Sequence, residues 1–135
     1  MKKILYTIGL ISCLEASDYI VIAHETVPNF SLQQIRAIYL KKLTLINDQQ
    51  AIPINLPADS SIRQAFEKKI LQMSQRRLKA YWTKQHYLGH RPPLKMASEK
   101  SVILFIKKID GAIGYLEANK FHPTKKIKIL YQWSD

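Results

Sequence analysis

Stretches with a hydrophobic period of two and stretches with a helical period take turns along residues 19–133. This alternation constrains the fold more than any other feature. Strands separated by helices pack as layers, which points to an α/β sandwich with a mainly parallel or mixed sheet flanked by helices. Tyr19-Ile20-Val21-Ile22-Ala23 is apolar throughout and largely β-branched, the pattern of a buried strand. Pro28-Asn29 interrupts it. Ser31, with Gln34 three residues on, forms a capping box for a helix on which Leu32, Ile35, Ile38 and Tyr39 recur at helical spacing. Residues 41–50 are polar and loop-like. Residues 51–55 are short and extended, and Pro53 places them at the start of a strand or at a sheet edge.

Asp59-Ser60-Ser61 opens a second helix, with Gln64 three residues after Ser61 and Ile62, Ala65, Phe66 and Ile70 as its apolar side. Ser74 caps a third, carrying Leu78, Tyr81 and Trp82. Gly89 to Pro93 reads as a loop, since neither Gly89 nor Pro92-Pro93 suits a helix interior. Ser98-Glu99 begins the last helix, whose buried face is Val102, Phe105, Ile106 and Ile109. Asp110-Gly111 ends it, with Gly111 in the left-handed position. Residues 112–116 form a strand in which Gly114 implies that something approaches the backbone closely. Ile127, Ile129, Tyr131 and Trp133 alternate with their neighbours, the period of a half-buried strand.

The chain has 135 residues, enough for one domain. Its first residues do not belong to the alternation. Met1-Lys2-Lys3 is basic, Ile4 to Leu14 is apolar but too short to span a bilayer as a helix, and Ala16 follows as a small residue. The order is that of a secretory signal peptide over residues 1–17, cut after Ala16 or Ser17, with the folded domain over 18–135 and a periplasmic destination. Leu10-Ile11-Ser12-Cys13 also fits a loose lipobox, so a lipoprotein anchored through Cys13 is the alternative. Ordinary cleavage would remove Cys13, the single cysteine, and with it any thiolate chemistry.

Formal net charge is +11. A surplus of that size suits an anionic partner. It is scattered over pairs such as Lys41-Lys42, Lys68-Lys69 and Lys107-Lys108, and together with export this argues against nucleic acid. His86 and His90 stand four apart, but no Glu follows His86 and Gly89 breaks the helix between them, so no metal site is expected. No phosphate-binding P-loop, nucleophile elbow or dinucleotide fingerprint is present, and the carboxylates form no recognisable pair. Neither enzyme nor cofactor is expected. The strongest ligand candidate is Asp59-Ser60-Ser61-Ile62-Arg63. A helix N-terminus presents unpaired N–H groups, to which Ser60 and Ser61 add hydroxyls and Arg63 a charged fork, a set suited to a small oxyanion.

Several spaced stretches resemble the phosphate-binding proteins of bacterial phosphate ABC importers. Residues 31–40, SLQQIRAIYL, look like that family's "S-L-x-x-Q-[LI]-x-x-I-[FY]-L" helix, and Ile52-Pro53-Ile54-Asn55 like the strand after it. Ser60-Ser61-Ile62-Arg63-Gln64-Ala65-Phe66 resembles the "S-G-T-R-x-x-F" loop and helix. Trp82, Gly89 and Pro92-Pro93 match "W…G…P-P", and residues 111–115 match "G-A-I-G-Y". The resemblance implies a single lobe of the periplasmic-binding-protein type, with phosphate or a related oxyanion as ligand and a transporter or sensor membrane protein as partner. It also carries departures. Ser61 stands where the family has glycine, Ile62 where it has threonine, and Asn55 or Leu56 near an upstream arginine. The alternative implied is a protein-interaction module of the same fold that has lost its ligand, with a homo-oligomer or a membrane protein covering the uncovered face.

Overall fold

The computed structural model describes residues 18–134, so the expected signal peptide and Cys13 lie outside the described residues. The first apolar run forms β1, Asp18–His24, buried from Tyr19 to His24. Helix α1, Leu32–Tyr39, follows with the expected capping box: Gln34 N–H donates to Ser31 Oγ, and Ser31 N–H donates to Gln34 Oε1. Residues 41–50, read as loop, instead hold a hairpin of β2 (Leu45–Ile46) and β3 (Gln49–Gln50). Asn47 and Asp48 turn it at φ 47° and 68°. Two consecutive left-handed residues are what a tight hairpin requires, and Asn and Asp tolerate them.

Strand β4 is Ile52–Asn55, helix α2 is Ser61–Phe66, and a π-helical turn over Glu67–Leu71 continues α2. Helix α3 is Gln75–Tyr87 and is followed by β5, Leu94–Lys95, a strand the sequence does not announce. Helix α4 is Glu99–Lys108, β6 is Ala112–Glu117, and β7 is Ile127–Ser134. The main sheet has the order β5-β4-β6-β1-β7. β1 runs antiparallel to β6 and β7, whereas β4 runs parallel to β5 and β6. The sheet is therefore mixed, as expected.

Pro53 is reconciled by register. β4 has neighbours on both sides, but only Ile54 and Asn55 pair with β5, while Ile52 and Pro53 pair with β6. At Pro53 the strand is still an edge, so its missing N–H breaks no ladder bond. The alternation expected in β7 holds only in part. A bulge shifts the β1–β7 register between Val21 and Ile22, taking the partner from Tyr131 to Ile129. Ile127 and Trp133 are buried, but Ile129 is 47% exposed.

Helices cover both faces of the sheet. Tyr115 and Gly114 are successive in β6 and so point to opposite faces. On the first face Phe66 of α2 stacks on Tyr115 with ring centroids 4.0 Å apart, and Tyr39 of α1 lies 4.6 Å from Phe66. The Tyr39 hydroxyl lies 2.9 Å from the Ile54 carbonyl and 3.1 Å from that of Ile113, which pins α1 to β4 and β6. On the second face α4 supplies the close approach expected at Gly114. A Cβ there would sit 2.8 Å from both Ile106 Cδ1 and Val102 Cγ1. At one edge His24 Nδ1 accepts from Thr26 N–H, Thr26 Oγ1 accepts from Gly111 N–H, and His24 Nε2 lies 3.5 Å from Asp110. This cluster clasps the end of β1 to the turn between α4 and β6. Gly111 has φ +82°, the left-handed position expected of it.

Candidate functional site

The segment singled out in the sequence joins β4 to α2, so the sheet sets where it lies. Asn55 and Leu56, at the end of β4, are buried. The Tyr115 hydroxyl donates to Asn55 Oδ1 at 2.7 Å and accepts from the Leu56 N–H at 3.2 Å. Burial raises the pKa of this hydroxyl well above the usual tyrosine range, and the Leu56 amide and Arg63 only partly oppose that shift. The hydroxyl therefore stays a donor at any physiological pH.

Ser60 is the N-cap of α2, with extended backbone at φ −68° and ψ 129°. Its Oγ accepts from the Ile62 and Arg63 amides, each at 3.2 Å, and its carbonyl accepts from Gln64 N–H. The cap thus belongs to Ser60, and Gln64 bonds to the Ser60 backbone rather than closing a box on Ser61. Ser61 is the first helical residue. It is exposed, and its amide and hydroxyl make no hydrogen bond among the described residues.

Arg63 is half-buried and held at two points. Its Nε donates to Glu67 Oε2 at 2.8 Å, and its Nη1 donates to the Leu56 carbonyl at 3.0 Å. Glu67 is 7% exposed, so a buried carboxylate faces the guanidinium one helical turn on. Such a pair fixes the arginine's geometry and compensates its charge locally.

The three residues therefore do not converge on one point. Ser61 opens toward a cleft of about 570 Å³ that also holds Gln64, Lys68, Lys69 and Trp133. Arg63 lines a separate cleft of about 530 Å³ with Asp59, Glu67, Lys79 and Trp82. The first is cationic and carries the free serine. The second sets two acids against two bases. Sequence reasoning missed Glu67, although its i,i+4 spacing from Arg63 was a visible signal. It also missed the bond between Tyr115 and Asn55, which no local pattern could reveal because the pair is far apart in the chain. As expected, Gly89 breaks the helix between His86 and His90: it has φ +85° and follows the end of α3, and His90 Nδ1 lies 2.7 Å from Gln85 Oε1.

No protein-family model matches the chain, and no curated protein matches it. Solved structures do. An ABC-type phosphate transport receptor from Vibrio cholerae matches with a TM-score of 0.65 at 16% identity, over 85% of this chain and 46% of the receptor. A Clostridium perfringens protein described as a phosphate ABC transporter substrate-binding protein, solved with bound phosphate, matches with a TM-score of 0.63 at 19% identity, over 79% of this chain and 42% of its own. PstS from Borrelia burgdorferi matches with a TM-score of 0.58 at 13% identity, over 76% of this chain and 41% of its own. The chain spans a little under half the length of these structures. At such identities the likeness shows the fold alone: this chain has the α/β fold, with a mixed helix-flanked sheet, of part of each neighbour.

Proposed function

We propose that the chain is an exported, non-catalytic solute-binding-like module that takes a small oxyanion, phosphate or a close relative, at the start of α2. It would act as an accessory to a transporter or sensor in the membrane. The observation that supports it best is Ser61, whose amide and hydroxyl are free and exposed at the position where the resembling loop begins its helix. Lys68 and Lys69 line the same cleft and favour an anion. Ser60 shapes the loop by capping it. Arg63, anchored by Glu67 and the Leu56 carbonyl, lines the other cleft and serves the site by holding the loop that leads into α2. Export rests on the basic, then apolar, then small-residue order of residues 1–17.

Isothermal titration with phosphate and sulfate tests the reading. Binding should be present, and Ser61→Ala should weaken it about tenfold while the protein stays folded; Arg63→Ala, at a residue that lines the other cleft and is paired with Glu67, should weaken it less. Ser60→Ala should also lower stability by about 0.5–2 kcal/mol, because it removes the cap. Absence of heat at millimolar anion from folded protein would defeat the oxyanion reading and leave the interaction module in its place. Intact Met1-Lys2-Lys3 on the mature protein, read by mass spectrometry, would defeat export.

A further inference from the structure

Between Glu67 and Glu99 the chain carries no acidic residue. From α3 to β5 this interval holds Arg76, Arg77, Lys79, Lys84, Arg91 and Lys95, all exposed. None of them joins an ion pair among the described residues, where the pairs are His24 with Asp110 and Arg63 with Glu67. The same interval carries the large apolar side chains Tyr87, Leu88 and Leu94, exposed by 84%, 61% and 56%. Tyr87 and Leu88 lie at the C-terminal end of α3, and Leu94 follows in β5. His90 N–H returns to the Gln85 carbonyl at 2.9 Å, and Pro92 closes a shallow cleft with Trp82 and Tyr87. The segment after α3 therefore folds back on the helix, where Lys79 and Tyr87 line the same cleft as Pro92.

We infer that this end of α3, with the loop into β5, is a docking surface for an anionic phospholipid bilayer. Lysine and arginine reach headgroup phosphates while their stems lie along apolar surface, and Tyr and Leu tips enter the boundary between headgroups and acyl chains. The cations are spread along α3 and the segment after it, and a bilayer offers phosphate everywhere along its plane to charges so spread. Nucleic acid would use the cations and could stack on Tyr87, but it offers no apolar counterpart to Leu88 and Leu94. The inference does not depend on the oxyanion reading, since none of its residues is Ser60, Ser61 or Arg63.

The test is co-sedimentation of the full chain with vesicles of phosphatidylcholine alone and of phosphatidylcholine mixed with phosphatidylglycerol. The chain should partition onto the anionic vesicles, less so as salt rises. Brominated lipid should quench Trp82, which lines the cleft with Tyr87. The triple variant Lys84→Gln/Arg91→Gln/Lys95→Gln should lower partitioning roughly a hundredfold. The pair Tyr87→Ser/Leu88→Ser should lower it about tenfold or more. Circular dichroism should show both variants folded, because every changed side chain is exposed. No binding to anionic vesicles, or equal binding by all variants through the apolar run of residues 4–14, would overturn the inference. So would loss with the charge variant but not the apolar one, accompanied by tight binding of the wild type to DNA, which would mark a surface for polyanions by charge alone.

Discussion

Helices α3 and α4 are both capped by serine and both carry several lysines or arginines, yet they have opposite relations to the sheet. α4 buries Val102 and Ile106 against Gly114 of β6, and its side chains leave no room there for even one more methyl group. α3 is the longer helix, yet Leu78 is its one fully buried residue; Tyr81 anchors it by donating from its hydroxyl to the Leu40 carbonyl at 2.6 Å. The difference teaches where stability and surface chemistry reside. α4 is part of the core, and substitutions on its buried face should be felt globally. α3 is mounted on the core by a narrow seam and presents the rest of itself to solvent, which leaves its exposed side free to serve a partner.

Truncating the buried face of each helix tests the difference most directly. Ile106→Ala should cost about 2–5 kcal/mol in chemical denaturation, as expected for a fully buried aliphatic side chain. Leu78→Ala should cost less, because the seam around it can relax. Equal losses would end the distinction between a core helix and a mounted one. Next, Gly114→Ala should destabilise by about 1–3 kcal/mol through overpacking against Val102 and Ile106. A neutral or stabilising result would mean that α4 can move away from the sheet.

The site end of the sheet offers a test of similar size. Tyr115→Phe removes the hydroxyl that serves both Asn55 and the Leu56 amide, and should cost about 1–3 kcal/mol by leaving buried polar groups unpaired. It should also change the alkaline profile. Burial raises the folded-state pKa of Tyr115, and that of Tyr39, above the ordinary tyrosine value of 10.0. The native state then keeps protons that the unfolded chain has lost. Their contribution is complete below about pH 10 and falls as pH rises beyond it, so the wild type should lose stability in denaturant melts above that pH. The Phe variant should lose less over the same range. The smallest effect is expected on the outer side of α3: Tyr87→Ser should shift stability by no more than about 0.5 kcal/mol in a thermal melt. A larger loss would show that this exposed tyrosine belongs to the fold.

Much of the fold was legible because its signals are local. The apolar run of residues 19–23, the capping box at Ser31, the helix start at Ser98 and the glycine after α4 each act through neighbours a few positions away. Two departures arose where distant strands decide. β5 exists because two residues meet the end of β4, and the β7 alternation fails because a bulge resets its register to β1; the hairpin of β2 and β3 is a local departure, turning on two polar residues that composition alone marks as loop. The candidate site divides in the same way. The cap at Ser60 follows from helix chemistry, and the Arg63–Glu67 pair follows from helix spacing.

Short-range physics, hydrophobic period and capping, placed the helices, the longer strands and the α/β class from sequence. The sequence by itself also determined the acid-free interval that gives α3 its charge. Only the tertiary structure decided that Ser61 and Arg63 open into different clefts, that Asn55 is occupied by Tyr115, and that α4 rather than a ligand fills the space over Gly114. Those outcomes depend on which side chains the sheet brings together across long stretches of chain. That pairing is set by packing and register, which no local pattern encodes.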